Sequence, residues 1–152
     1  MRKPLIVGFG NVLYGDDGIG EVVIGRLKEC KEVNKEDVVF AGTDGLILFN
    51  LVERNRPLII VDAVKMGTKP GTIRKFELDS VRLNTMVENL STHSFGLSEL
   101  VSLIEGSKGL GKVTVIGVEP KRCRLGELMS QEVTKSVDKV IELVMREYKL
   151  YE

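Results

Sequence analysis

The chain has 152 residues, of which 43% are hydrophobic and 29% charged, an ordinary balance for a globular protein with a buried core. Lysine and arginine together number 22, as do aspartate and glutamate, and the resulting net charge of zero gives no electrostatic reason to expect nucleic acid or an anionic membrane as a partner. No apolar run is long enough for a transmembrane span or a signal peptide, so we expect a cytoplasmic protein.

The first half of the chain alternates short apolar runs with helical spacing. Residues 4–9 and 37–41 are apolar runs that predict buried strands. Residues 18–30 repeat apolar side chains at helical spacing, and a further helix is predicted over residues 46–52. Residues 58–64 give the clearest buried strand, because the run is apolar at nearly every position.

The second half continues the alternation. Residues 72–78 alternate polar and apolar side chains as a half-exposed strand does, and a helix is predicted over residues 98–105. Residues 112–118 predict another strand, and residues 130–148 a long amphipathic helix. Because strands alternate with helices, we expect an α/β fold: a single three-layer domain over residues 1–152, with a mostly parallel twisted sheet and helices on both faces.

Polar residues follow several of the predicted strands. In open α/β sheets, ligands bind beyond the carboxyl ends of the strands. Asp16 and Asp17 follow the first strand, Asp44 follows the second, and Asp62 lies near the end of the third. His93 is the only histidine and stands in a predicted loop just before a helix. We therefore expect several carboxylates and one imidazole to converge on one edge of the sheet.

The glycine-rich segment after the first strand does not satisfy the patterns of nucleotide-binding loops. A dinucleotide-binding loop that uses Gly8 and Gly10 needs glycine or alanine at position 13, where the chain has Leu13. The following helix opens with two aspartates, which would repel a pyrophosphate, and no Gly-Lys-Ser/Thr sequence completes a P-loop. We therefore expect no nucleotide cofactor. A Ser/His/Asp triad is also not predicted, because no serine occupies a strand-to-helix elbow.

The acidic residues allow both structural and chemical interpretations. Asp16 or Asp17 could cap the helix that follows while the other faces a pocket, and spacing alone does not decide between them. Asp62 interrupts an apolar strand, where an ionised carboxylate is costly unless it is paired, hydrogen-bonded or bound to a metal. Two carboxylates with His93 would suit zinc, nickel or iron in an open site, which predicts metal-assisted or carboxylate-assisted hydrolysis.

Three separated blocks resemble the nickel-iron hydrogenase maturation endopeptidases. Residues 8–20 are similar to the family's opening Gly-x-Gly-Asn block with its acidic pair. Residues 58–63, Leu-Ile-Ile-Val-Asp-Ala, match its central strand, and residues 91–97, Ser-Thr-His-Ser-Phe-Gly-Leu, match its histidine block. The blocks occur in the family's order over nearly the whole chain, which makes the resemblance specific.

The resemblance implies a role for each candidate residue. It assigns metal binding and catalysis to Asp17 rather than Asp16, together with Asp62 and His93. The implied partner and substrate is the precursor of a hydrogenase large subunit, from which these enzymes remove a short C-terminal extension after nickel has been inserted. The nickel would then arrive with the substrate, where a nickel-activated water or a nearby carboxylate would attack the scissile carbonyl.

One departure from the family pattern concerns a further acidic residue. The second strand of relatives often ends in Asp-Gly-Gly-Thr, whereas this chain has Phe-Ala-Gly-Thr at residues 40–43. Asp44 is therefore a candidate substitute, and we name Asp44 and Asp16 as auxiliary catalytic candidates. The resemblance does not identify the general base.

Two other functions are consistent with the same residues. A non-proteolytic maturation chaperone would bind the nickel-loaded precursor without shortening it, and a generic metallohydrolase would own a resident metal. The balanced surface charge and the lack of a heptad pattern leave the oligomeric state open, with a monomer as the default expectation. Cys30 and Cys123 belong to no Cys-x-x-Cys motif and are expected to be buried free thiols.

Overall fold

Five strands and two α-helices make up the part of the chain that the computed structural model describes, residues 3–43, 56–78 and 111–151. The strands are β1 (Leu5–Phe9), β2 (Val38–Gly42), β3 (Leu58–Ala63), β4 (Ile73–Leu78) and β5 (Val113–Val118). The helices are α1 (Ile19–Lys28) and α2 (Gln131–Lys149), and short 3-10 helices span Val12–Gly18 and Lys35–Asp37. The bounds agree with the predicted ones to within two residues. The helices predicted over residues 46–52 and 98–105 lie outside the described residues.

The strands form one sheet in the order β2-β1-β3-β5-β4. β1 pairs in parallel with both β2 and β3, and β3 pairs in parallel with β5. β4 is an edge strand and runs antiparallel to β5. The predicted α/β class with a mostly parallel sheet is therefore confirmed. β4 is less buried than the central strands, and its residues Arg74, Lys75 and Glu77 are exposed, as the position at the edge of the sheet allows.

The centre of the sheet is covered on both faces. Every residue of β1, β3 and β5 is buried, whichever face its side chain points to. α1 packs on β1, β2 and β3, and α2 packs on β3 and β5, while the two helices also contact each other. Val22, which the helical spacing places on the apolar face of α1, is instead 36% exposed. No helix of the described residues is long and apolar enough to cross a bilayer.

Gly20 lets the start of α1 lie directly against the sheet. A Cβ at this position would stand 2.2 Å from the carbonyl oxygen of Phe9 and 2.9 Å from that of Val61, and both oxygens belong to the backbone. A side chain is therefore incompatible with this approach, which holds the beginning of the helix over β1 and β3. The residues immediately before α1 are positioned by the same contact.

A buried polar network joins the amino-terminal side of the sheet to the end of α2. The carboxylate of Asp37 accepts hydrogen bonds from Arg56 Nη2 and from the Tyr148 hydroxyl, each at 2.6 Å. Arg56 Nε also donates to the Lys3 carbonyl oxygen at 3.1 Å. Burial, followed by the hydrogen bond to Asp37, raises the pKa of Tyr148 to about 12. This network lies away from the carboxyl ends of the strands and serves the fold.

Candidate active site

We call the edge of the sheet at the carboxyl ends of β1 and β3 the crevice, after the position at which open α/β sheets bind ligands. The chain continues from β1 to β2 on one side, whereas β3 lies on the other side of β1, so the strand order changes direction at this point. Open α/β sheets bind ligands at such a point, beyond the carboxyl ends of the strands. Asp17 follows β1 through the 3-10 helix Val12–Gly18, which contacts β3, and Asp62 is the next-to-last residue of β3. Both aspartates are fully buried.

The carboxylate of Asp17 is folded back against the end of β1. Its Oδ2 accepts a hydrogen bond from the Asn11 backbone N–H at 3.0 Å. Gly10 has a φ of +123°, and a Cβ there would lie 1.9 Å from the Asp17 carbonyl oxygen. The Asn11 side chain caps the turn by accepting a hydrogen bond from the Leu13 N–H at 2.9 Å. Glycine at position 10 and asparagine at position 11 thus form the local structure that positions Asp17.

Asp62 is held by the backbone of its own strand. Its Oδ1 accepts a hydrogen bond from the Ala63 N–H at 2.8 Å, and its Cα pairs across the sheet with that of Gly117. The other residues of β3 are apolar and buried. An ionised carboxylate in such surroundings has lost hydration that hydrogen bonds or a cation must replace, which favours a site built to receive a cation.

Asp16 lies beside Asp17 but faces different groups. Its Oδ2 accepts hydrogen bonds from the backbone N–H groups of Lys121 and Arg122, at 2.8 and 3.1 Å. Ser130 donates twice, from its backbone N–H to Oδ1 at 2.6 Å and from its hydroxyl to Oδ2 at 2.9 Å. The fully buried carboxylate therefore joins the 3-10 helix Val12–Gly18 to the segment that precedes α2.

The structural interpretation that Asp16 or Asp17 caps α1 is wrong. The N-cap position is Gly18, which makes no side-chain capping hydrogen bond. The hydroxyl of Ser130 caps α2 instead, accepting a hydrogen bond from the Val133 N–H at 3.3 Å, and Asp16 holds that serine in place. Since both oxygens of Asp16 are engaged in this way, its geometry is that of a structural anchor.

Cys123 is a neighbour of the site that the sequence did not reveal. Burial, followed by the charges of Asp17, Asp16 and Asp62, raises the pKa of its thiol to about 11, and the charge of Lys65 opposes this rise. The charges of both predicted carboxylate ligands thus affect the pKa of one thiol, so the two ligands lie in the same region. Cys123 follows β5 at the same edge of the sheet, so the rule that selected the aspartates could also have selected it.

We expect iodoacetamide to alkylate Cys123 slowly at about pH 8, because the thiolate is the reactive form and a pKa of about 11 leaves about 0.1% of the thiol ionised. Peptide-resolved mass spectrometry separates this reaction from that of Cys30. When the alkylation rate is followed against pH, its midpoint reports the pKa of the thiol. Asp17→Asn should lower this midpoint, since one charge that disfavours the thiolate is removed. Asp138→Asn, on the exposed face of α2, should leave it unchanged. A wild-type midpoint near the ordinary thiol value of 9.0 would contradict the arrangement.

The remaining predicted site residues lie outside the described part of the chain. His93 and Asp44 both fall there, so their positions relative to Asp17 and Asp62 stay predictions. Within residues 3–43, 56–78 and 111–151, no group of three or more histidine, cysteine, aspartate or glutamate side chains could hold a metal ion. Cys30 and Cys123 are free thiols as predicted, although both are partly exposed.

Comparison with known proteins agrees with the fold. Residues 22–147 match the family model described as hydrogenase maturation protease. A protein of Methanocaldococcus jannaschii named for these proteases is 35% identical over 156 residues, which cover 98% of this chain and 99% of that protein. The coenzyme F420 hydrogenase subunit delta of Methanothermobacter thermautotrophicus is 34% identical, over 94% of this chain and 92% of its own length.

Solved structures show the same similarity. The hydrogenase maturating endopeptidase HybD from Escherichia coli superposes with a TM-score of 0.77 at 25% identity, over 94% of this chain and 90% of that one. The [NiFe] hydrogenase maturation protease HybD from Thermococcus kodakarensis has a TM-score of 0.75 at 30% identity, over 97% and 99% of the two chains. The chain therefore belongs to the hydrogenase maturation protease family and is an endopeptidase of hydrogenase maturation.

Proposed function

We propose that this protein removes the C-terminal extension of a nickel-loaded hydrogenase large-subunit precursor, and that Asp17, Asp62 and His93 recognise the nickel that the precursor carries. The observation that carries this proposal is the pair of fully buried carboxylates at the carboxyl ends of adjacent strands, where the strand order changes direction. Two desolvated anions in one crevice favour a cationic ligand, and carboxylate with imidazole suits nickel.

The nickel would belong to the substrate and not to the enzyme. Its binding would position the scissile bond. With the metal fixed beside Asp17 and Asp62, the peptide carbonyl on the same precursor is held next to the site. Well-oriented groups react with effective molarities of about 10⁵ M or more, so positioning alone accounts for a large part of the rate. Water adds to the carbonyl carbon, the C–N bond breaks, and the proton from the water passes to the amine that leaves.

The test compares two forms of one substrate. A C-terminally extended large subunit is prepared with and without nickel, and its mass is measured by mass spectrometry after incubation with the wild-type protein. We expect the nickel-loaded form to lose its extension and the nickel-free form to remain intact, because the carboxylates then have no cation to dock. Equal cleavage of both forms would overturn nickel recognition while leaving the peptidase activity in place.

The same mass measurement separates a maturation chaperone, and metal analysis of the purified protein separates a metallohydrolase. A maturation chaperone would bind the loaded precursor and leave its mass unchanged. A metallohydrolase with its own metal would contain a stoichiometric ion after purification and would lose activity on treatment with a chelator before substrate is added. The proposal predicts instead that the enzyme prepared without added metal cleaves the loaded precursor.

A further inference from the structure

A second pocket adjoins the crevice on the side of β5. Its volume is about 750 Å³, and it is lined by the loop that follows β3 and by the segment that follows β5. Lys65 stands in the first of these and Arg124 in the second. We propose that this pocket binds a carboxylate of the substrate's C-terminal extension, either an acidic side chain or the terminal carboxylate. The inference rests on the proposed function, and it assigns a substrate contact to residues outside the crevice.

The charge of the pocket favours an anion. Its lining contains four basic side chains and two carboxylates, an excess of two positive charges. Lys121 is paired with Glu132 at 2.8 Å, and Arg122 Nε lies 3.3 Å from a carboxylate oxygen of Glu127.

Lys65 and Arg124 are different from these two. Both are exposed, and no carboxylate partner for either is found within residues 3–43, 56–78 and 111–151. A carboxylate bound in the pocket would be attracted by both of these cations. These two side chains are therefore the ones available to a ligand.

Glu119 lines the same pocket but is committed to the protein backbone. Its Oε1 accepts hydrogen bonds from the Met66 N–H at 2.8 Å, the Thr68 N–H at 2.9 Å and the Thr68 hydroxyl at 3.0 Å. The residue is only 7% exposed. This carboxylate therefore fixes the loop that begins with Lys65. A cation on a fixed loop loses less conformational freedom on binding a ligand than one on a free loop.

Cys123 links the pocket to the crevice. This residue lines the pocket, and its thiol is close enough to Asp17, Asp62 and Lys65 for their charges to shift its pKa. An extended peptide advances about 3.3 Å per residue, so residues near a scissile bond in the crevice reach the pocket. The crevice attracts a cation and repels a carboxylate, whereas the pocket does the reverse. The two sites together would set the direction and register of the substrate.

The test measures binding separately from cleavage. A fluorescein-labelled synthetic peptide with the sequence of the precursor's extension is titrated with the full-length protein, and its Kd is read by fluorescence anisotropy. Lys65→Glu and Arg124→Glu should each raise the Kd about ten-fold, because an attractive charge becomes a repulsive one. Lys135→Glu, on the exposed face of α2, changes the net charge equally and should leave the Kd unchanged.

Peptide variants identify the source of the carboxylate. If a peptide with an amidated C-terminus binds wild type and Lys65→Glu equally, the terminal carboxylate is the ligand. If a peptide with its acidic side chains replaced by amides binds wild type and Lys65→Glu equally, an acidic side chain is the ligand. Equal Kd values for the unmodified peptide in wild type and both charge-reversal variants would overturn the inference. If the wild type does not cleave the precursor but the Kd for the peptide still rises in Lys65→Glu, the proposed function alone is rejected.

Discussion

Replacing Asp17 or Asp62 with asparagine is expected to lower the rate of precursor cleavage at least about a hundred-fold, the loss that misplacement of a bound reacting group causes. Asparagine keeps the shape of the side chain and an acceptor oxygen for the Asn11 or Ala63 N–H. It removes the charge that would hold a nickel ion. The measurement is the initial rate of cleavage of the nickel-loaded precursor, followed by mass spectrometry.

The stability of these two variants should differ little from that of the wild type. Each substitution removes a fully buried carboxylate from an apolar surrounding, and such groups are retained at functional sites at the expense of stability. Asp138→Asn serves as the control, since it removes one exposed charge far from the crevice. Cleavage at the wild-type rate by Asp17→Asn and Asp62→Asn would contradict the assignment of these carboxylates to the site.

Replacing Asp16 with asparagine is expected to have a different effect, a loss of about 2–4 kcal/mol in the free energy of unfolding. The carboxylate of Asp16 accepts four hydrogen bonds from three residues. An amide has only one acceptor oxygen, so its NH₂ group would face donors in a buried position. For a chain of this length, that loss lowers the melting temperature by roughly 5–15 °C, which a thermal unfolding curve followed by circular dichroism measures.

Asp17→Asn is the matched control for this second experiment, because the two aspartates are adjacent, equally buried and chemically identical. We expect Asp16→Asn to unfold at a lower temperature while retaining cleavage when it is assayed well below that temperature. We expect Asp17→Asn to unfold near the wild-type temperature and to lose cleavage. A melting temperature for Asp16→Asn equal to that of the wild type would contradict the anchoring of the segment before α2.

The bounds of the strands were predictable because each strand carries its own local pattern, whereas their order in the sheet was not predicted. β1, β3 and β5 are continuous apolar runs, as strands buried on both faces require. The placement of Asp17 and Asp62 at one edge also followed from the sequence, since parallel strands present their carboxyl ends together. The exposure of Val22 did not follow, because the width of the covered face of α1 depends on what packs beside it.

The division between Asp16 and Asp17 could not be obtained from spacing. Asp16 meets Ser130 across 114 positions of the chain, and no local pattern encodes a contact of that separation. The resemblance to known maturation endopeptidases selected Asp17, and the hydrogen bonds of Asp16 now give a physical reason for its different role. The pocket that contains Lys65 and Arg124 was missed for the same reason, since it forms only where two distant loops meet.

We propose that Asp17, Asp62 and His93 act together as nickel ligands in removing the extension. This is tested by the mass of a nickel-loaded, C-terminally extended large subunit after incubation with wild type or with His93→Ala. We expect the wild type to shorten the precursor by the mass of its extension and His93→Ala to leave it intact. An unchanged mass with the wild type, or equal cleavage by His93→Ala, would contradict the claim.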